Sequence, residues 1–278
     1  MYSLMGLKWL VELDTFDEGA SESIKKALVT RGFEHKVFKS VDYFDGRYNH
    51  FPVGEPVFFY GSVQVAKEIQ ERKLWNPGAM GEFSKYKCSS FYPVVGDKML
   101  SAEHVFVPFG DLKRLWPFLQ RCFGSETLFV RPDGGDKMFA GQVVENVEQF
   151  FEKEHVYFSN FSEPEAMCLV ADAYKLDAEY RLLVAGGKVV TGSRYRLNGH
   201  IHRDNEIPES VIDFANSVVA DGLNPDPAFM LDICQSQGNT YCLEINSVSS
   251  AALYKIDPLV FVDTITSAVM ENAATMNV

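Results

Sequence analysis

Cysteine is scarce in this 278-residue sequence, and what there is does not pair up. Cys88, Cys122, Cys168, Cys234 and Cys242 are odd in number and lack a C-x-x-C spacing. A disulfide framework and a sequence-local zinc site are thereby excluded, and free thiols in a reducing compartment are expected. No apolar run reaches the roughly 18 residues that a membrane-spanning helix needs. Positive charge is in the minority: 26 Lys and Arg stand against 38 Asp and Glu, a formal charge of −12. A nucleic-acid coat or a binder of anionic membranes needs a basic face, so neither is expected, whereas a small anion in a local pocket is compatible. Met1 to Gly19 contain one basic residue, Lys8, and no signal-peptide pattern, so a cytoplasmic chain is expected. Neither a G-K-[ST] phosphate loop nor a G-x-S-x-G nucleophile elbow occurs.

What remains is the composition of a folded chain, with 46% apolar and 23% charged residues. Through residue 75, strand and helix signals alternate. Leu7 to Leu13, Phe33 to Phe38 and Pro56 to Tyr60 read as strands. Ser21 is expected to cap a helix with Ile24, Ala27 and Leu28 inward, and Gly61-Ser62 to open another. This is a small α/β unit of parallel type. Asn76 to Gly96 is rich in Gly, Pro, Ser and aromatics and reads as a linker, with a domain boundary near residue 85. Beyond it come strands at Val105 to Pro108, Leu128 to Arg131 and Phe139 to Val144. Leu112, Leu115, Trp116 and Leu119 lie at helical spacing that Pro117 should interrupt. A hairpin turns on Ala185-Gly186-Gly187, and a second crosses Ser236-Gln237-Gly238-Asn239. Asp257-Pro258 starts a closing helix.

Three groups of residues carry chemistry. On the last hairpin Asp232 faces a strand bearing Glu244 and Asn246, two apart and therefore on one side. Three oxygen donors on rigid strands suit Mg²⁺, although a solvated acidic strand face has the same pattern. Between Tyr174 and Arg203 there are six Lys and Arg and only two acids. Glu179 and Arg181 share one strand face, as Arg194 and Arg196 share another. Cations on adjacent strands would clamp a polyphosphate; the alternative is a solvated basic hairpin. The loop from Arg131 to Gly141 holds Gly134-Gly135 between Arg131 and Lys137, a shape that can turn backbone N–H groups toward an anion and also one of ordinary turns. The charge is therefore uneven: residues 204–278 carry 11 acids and one base, next to the basic stretch.

In order and spacing these groups resemble the ATP-grasp superfamily. Glu179-Tyr180-Arg181 with its partner strand resembles the family's E-x-R hairpin, and Asp232 with Glu244-Ile245-Asn246 its magnesium strands. Arg131-Pro132-Asp133 with Lys137-Met138-Phe139-Ala140-Gly141 is similar to the clade named for one arginine and two lysines. The resemblance implies an α/β (α+β) ATP-grasp fold. Residues 1–85 would form a pre-ATP-grasp domain, and residues 86–278 the ATP-grasp domain, in two lobes of about 86–168 and 169–278. It implies ATP and Mg²⁺, with Asp232, Glu244 and Asn246 on the metal. Arg131, Lys137, Lys175 and Lys98 would lie on the phosphates, Glu179 on the ribose, and Val170, within Cys168 to Asp172, at the adenine hinge. Arg181 and Arg194 would hold the γ-phosphate and an acylphosphate. The activity it implies is ADP-forming ligation of a carboxylate to an amine on a small molecule or peptide. A phosphotransferase and a non-catalytic nucleotide-binding module are the alternatives.

Overall fold

The computed structural model describes residues 6–16, 19–44, 46, 50–134, 138–158 and 165–276. The first unit is β1 (Lys8–Glu12), α1 (Ala20–Arg31), β2 (His35–Phe38), α2 (Ser40–Phe44), β3 (Val57–Tyr60) and α3 (Val63–Arg72). Its strands form a parallel sheet in the order β2-β1-β3. β1 and β3 are short and mainly apolar because both of their faces are covered, whereas β2 carries the half-buried His35 and Lys36. Gly32 ends α1 in the left-handed region at φ 70°, and the Ser62 hydroxyl accepts the Val65 N–H to open α3. Ser21 is not the α1 cap: the helix starts at Ala20 behind Gly19, and Ser21 is buried in its first turn.

The second unit holds α4 (Cys88–Val95), β4 (His104–Pro108), α5 (Leu112–Phe123), β5 (Leu128–Pro132), β6 (Gln142–Val144), α6 (Val147–Phe158) and β7 (Met167–Asp172). Its antiparallel sheet runs β4-β7-β5-β6. Pro117 lies inside α5 without ending it. The stretch expected as a linker contains α4, whose Cys88, Phe91, Tyr92 and Val95 are buried at helical spacing. The expected lobe division near 168/169 falls inside β7, so the small sheet ends only at Asp172.

The third unit is β8 (Ala178–Ala185), β9 (Lys188–Leu197), β10 (His200–Asp204), α7 (Glu209–Ala220), β11 (Ala228–Ser236), β12 (Asn239–Ser247) and α8 (Pro258–Met276). Five antiparallel strands run β10-β9-β8-β11-β12. One face packs on α4 and α7. The other shares a core with the first unit, where Leu183 and Met230 of the large sheet and Phe261 of α8 meet Trp9 and Phe58. Trp9 and Phe58 pack edge to face, their centroids 4.7 Å apart. One apolar core therefore runs across the boundary expected near residue 85. Among the described residues no helix is long and apolar enough to cross a membrane.

Candidate active site

The β11–β12 hairpin turns across Ser236-Gln237-Gly238-Asn239 as expected, with Ser236 paired to Asn239 and the central Gln237 and Gly238 at φ 52° and 80°. It sets Asp232 directly opposite Glu244, and on its other side Asp232 pairs with Arg181 of β8. A bulge follows at once, since Ile233 pairs with Cys242. Arg181, Asp232 and Glu244 therefore stand in a row across three strands, on one face. They border a cavity of about 860 Å³ between the two antiparallel sheets. Arg131 enters from β5, Lys175 and Glu179 from before and within β8, and Tyr92 from α4.

Within the row every cation meets a carboxylate. Arg181 grips Asp232 at two points, Nε to Oδ1 at 2.9 Å and Nη2 to Oδ2 at 2.7 Å. Its Nη1 donates to the Ala252 carbonyl at 3.2 Å, and Glu244 Oε1 lies 3.8 Å from Nη2. Arg131 Nη2 donates to Glu244 Oε2 at 3.0 Å. The Asn246 amide donates to Glu244 Oε1 at 2.9 Å and to Asp232 Oδ2 at 3.4 Å. Burial works against both guanidinium charges, but the facing acidic groups outweigh it and hold both pKa values above the ordinary arginine value. Burial also pushes the Glu179 carboxyl up, against a hydrogen bond from Tyr195 at 2.9 Å and the charge of Arg196.

The donor set fits magnesium. It is all oxygen, with two carboxylates in cross-strand register and an amide two residues along the same face; turning the amide over presents its carbonyl oxygen. Among the described residues no group of three or more His, Cys, Asp or Glu side chains could hold a metal. Two carboxylates suit an ion that takes its remaining ligands from phosphate and water, rather than an all-protein cage.

Of the expected residues that are described, Arg194, Lys98 and Val170 do not line the cavity, and Asn246 borders a small neighbouring pocket with Arg131. Arg194 pairs with Tyr180, whereas Arg196 pairs with Glu179, because β9 bulges at Tyr195. The bulge breaks the two-residue face, and Arg194 bonds to Asp204 and Glu206 near β10, away from the cavity wall. Lys98 donates to Ser217 and pairs with Asp221, at the end of α7. Val170 is fully buried in the small-sheet core, while Asp172, Tyr174, Lys175 and Leu176 reach the wall beyond it. Lys137 lies outside the described residues.

Sequence reasoning gave no role to Tyr92 or Tyr195, and quoted Asp133 in a motif without assigning it one. Tyr92 could have been found from the spacing of Cys88, Phe91, Tyr92 and Val95, which the neighbouring Pro93 and Gly96 obscure. Asp133 fastens the start of the glycine loop to α4: its two oxygens accept the Ser89 N–H at 2.7 Å and the Ser89 hydroxyl at 2.9 Å.

Comparison with known proteins agrees with this geometry. A family profile for the ATP-grasp domain, family 2 of the clade named for one arginine and two lysines, matches residues 120–264. Among solved structures, a D-alanine–D-alanine ligase from Coxiella burnetii superposes with a TM-score of 0.67 at 11% identity, over 99% of this chain and 97% of that one. The D-cycloserine synthetase DcsG gives 0.63 at 15% identity, over 95% and 100%. The ATP-grasp ligase PsnB, complexed with a minimal precursor, gives 0.53 at 13% identity, over 96% and 99%. No curated protein sequence matches. The profile spans more than half of the chain, and the fold extends the likeness to nearly all of it: the chain belongs to the ATP-grasp superfamily, in family 2 of the one-arginine, two-lysine clade.

Proposed function

We propose that this protein is an ATP- and magnesium-dependent ligase that joins a carboxylate to an amine, releasing ADP and phosphate. The observation that carries the reading is the row of Arg181, Asp232 and Glu244, closed by Arg131, on a cavity large enough for a nucleotide. A site that clamps a polyphosphate needs cations for its oxygens and carboxylates for its metal, and both are present at contact distance. Arg131, with Lys137 and Lys175, would hold the α- and β-phosphates. Arg181 would hold the γ-phosphate and the acylphosphate, and Glu179 would accept a ribose hydroxyl. Arg194, Lys98 and Val170 have no part in this scheme. Asp232, Glu244 and Asn246 would hold magnesium, which when bound neutralises phosphate charge. Each arginine is paired here with a carboxylate, and a magnesium nucleotide offers both a new partner.

A substrate carboxylate oxygen attacks the γ-phosphorus, and the bond to ADP breaks. An amine nitrogen then attacks the acyl carbon of the acylphosphate; inorganic phosphate leaves and the nitrogen gives up a proton. The protein's share is to hold the reactants together and to place fixed positive charge where negative charge gathers. Supply of ATP fits the cytoplasmic setting expected from the free thiols. The test is incubation with Mg-ATP and pooled amino acids and short peptides, with mass spectrometry for condensation products and separate measurement of ADP and AMP. Condensation with ADP supports the reading; AMP as the main product contradicts it, and phosphorylation of a stable acceptor would make the protein a phosphotransferase.

A further inference from the structure

Arg181 is held by two kinds of group. The Asp232 carboxylate and the Ala252 carbonyl accept its N–H groups. Two aromatic rings on the cavity wall hold it as well: its guanidinium lies 5.0 Å from the centre of the Tyr254 ring and 5.8 Å from that of Tyr195. The rings stack on each other, with centroids 4.8 Å apart and planes 20° off parallel. A cation over such rings is attracted by their quadrupoles, most strongly where water is excluded.

Irregular backbone places both rings. Tyr195 is the extra residue of the β9 bulge, since Glu179 pairs with Arg196 and Tyr180 with Arg194. Two residues therefore stand opposite Glu179, and Tyr195 and Arg196 both line the cavity beside it. The Tyr195 hydroxyl donates to Glu179 Oε2 at 2.9 Å, and Arg196 Nη1 lies 3.7 Å from Oε1. Burial and the neighbouring carboxylates push that hydroxyl well above the ordinary tyrosine pKa, so it remains a donor. Tyr254 has φ 53°, a left-handed conformation that a bulky residue keeps only where its surroundings fix it. The two kinds of hold on Arg181 also respond differently to a ligand. Asp232 is a candidate metal donor, so a magnesium nucleotide competes with Arg181 for its oxygens. The rings offer no oxygen to a metal, and they can keep Arg181 in place when Asp232 turns to magnesium.

We propose that Tyr195 is a positioning residue for the nucleotide: its ring, backed by Tyr254, holds Arg181 for the γ-phosphate, and its hydroxyl holds Glu179 for the ribose. The proposal rests on the ligase reading for the assignments of Arg181 and Glu179, but nucleotide binding measures it without turnover.

The test is calorimetric titration, in excess Mg²⁺, with ADP and with AMP-PNP, the β,γ-imido analogue of ATP. Tyr195→Leu and Tyr254→Leu should each weaken AMP-PNP about fivefold or more beyond any loss for ADP, since only the triphosphate reaches Arg181. Tyr195→Phe keeps the ring and removes the hydroxyl. AMP-PNP should then lose no more than ADP, while the preference for ADP over 2′,3′-dideoxy-ADP, which lacks both ribose hydroxyls, should fall about threefold or more. A tyrosine with a merely structural role would weaken all three nucleotides alike. Tyr254 is half-buried and outside the strands, so Tyr254→Leu still tests the ring should Tyr195→Leu fail to fold. Equal losses for ADP and AMP-PNP in either leucine variant that folds, or an unchanged ribose preference in Tyr195→Phe, overturns the proposal. Failure of the ligase reading looks different: nucleotide affinities would shift as described, but no carboxylate and amine would condense with Mg-ATP. No binding of any of these nucleotides would overturn both.

Discussion

Replacing Asp232 by Asn leaves the Arg181 guanidinium, 7% exposed, facing a neutral amide in place of a carboxylate that is 1% exposed. Breaking a buried pair from one side costs about 3–5 kcal/mol, because the surviving charge has neither water nor a partner. Glu244 Oε1, 3.8 Å from Nη2, still offers part of the lost charge. The expected cost is therefore at the lower end, about 3 kcal/mol, which lowers the melting temperature by roughly 6–12 °C. Urea unfolding without nucleotide, followed by the fluorescence of Trp9, Trp75 and Trp116, measures it directly. The companion variant is Asp232→Asn with Arg181→Met, which removes the orphaned cation too. It should recover at least about 1 kcal/mol relative to Asp232→Asn alone, since an apolar replacement of a whole buried pair is often neutral. If Asp232→Asn stays within about 0.5 kcal/mol of the parent and the two substitutions simply add, the pair is not coupled as described and the reasoning is wrong.

Three further outcomes follow from the same geometry. Glu244→Gln removes the carboxylate 3.0 Å from Arg131, so the gain in ADP affinity on adding Mg²⁺ should fall at least tenfold by calorimetry, with a smaller stability loss than Asp232→Asn because the pair is 14% and 22% exposed. Burial pushes the Cys88 thiol up to about 11 and those of Cys168 and Cys234 to about 12, and Cys122 is the exposed cysteine. Mass spectrometry after alkylation at pH 8 should find Cys122 alone modified in the folded protein and all five cysteines in urea. Burial holds the Asp226 carboxyl above its ordinary value, only partly offset by the Tyr86 hydroxyl at 2.9 Å and by Lys85. Such an acid favours the folded state below its ordinary pKa and withdraws that support as pH rises through the raised value. Asp226→Asn keeps an acceptor for Tyr86, so it should flatten the fall in stability over that interval, as urea midpoints from pH 3.5 to 7 would record.

The hairpin proposed to hold magnesium was legible because it obeys simple periods. Asp232, Glu244 and Asn246 fall on one face by alternation, and Leu231, Ile233 and Ile245 fill the buried positions around them. Arg194 was not placeable for the converse reason: the bulge at Tyr195 shifts the register within the strand, and nothing in Ser193-Arg194-Tyr195-Arg196 announces it. Lys98 illustrates a second blind spot. Its partner Asp221 is 123 residues away, so its engagement depends on tertiary packing alone. Helix α4 carried a readable apolar spacing, but Pro93 and the Gly and Ser around it outweighed that signal. Trp9 and Phe58 share a core with Leu183, Met230 and Phe261 across the boundary expected near residue 85, contacts that no local window contains.

Activation of a carboxylate by phosphorylation leaves a label that isotope transfer can read. A condensing substrate found in the amino-acid and peptide pool would be prepared with ¹⁸O in its carboxyl group and incubated with Mg-ATP and the amine. One ¹⁸O is expected in the inorganic phosphate for each ADP formed, because the attacking carboxylate oxygen stays on phosphorus when the amine displaces phosphate. Phosphate free of ¹⁸O, or label recovered in AMP, would contradict it.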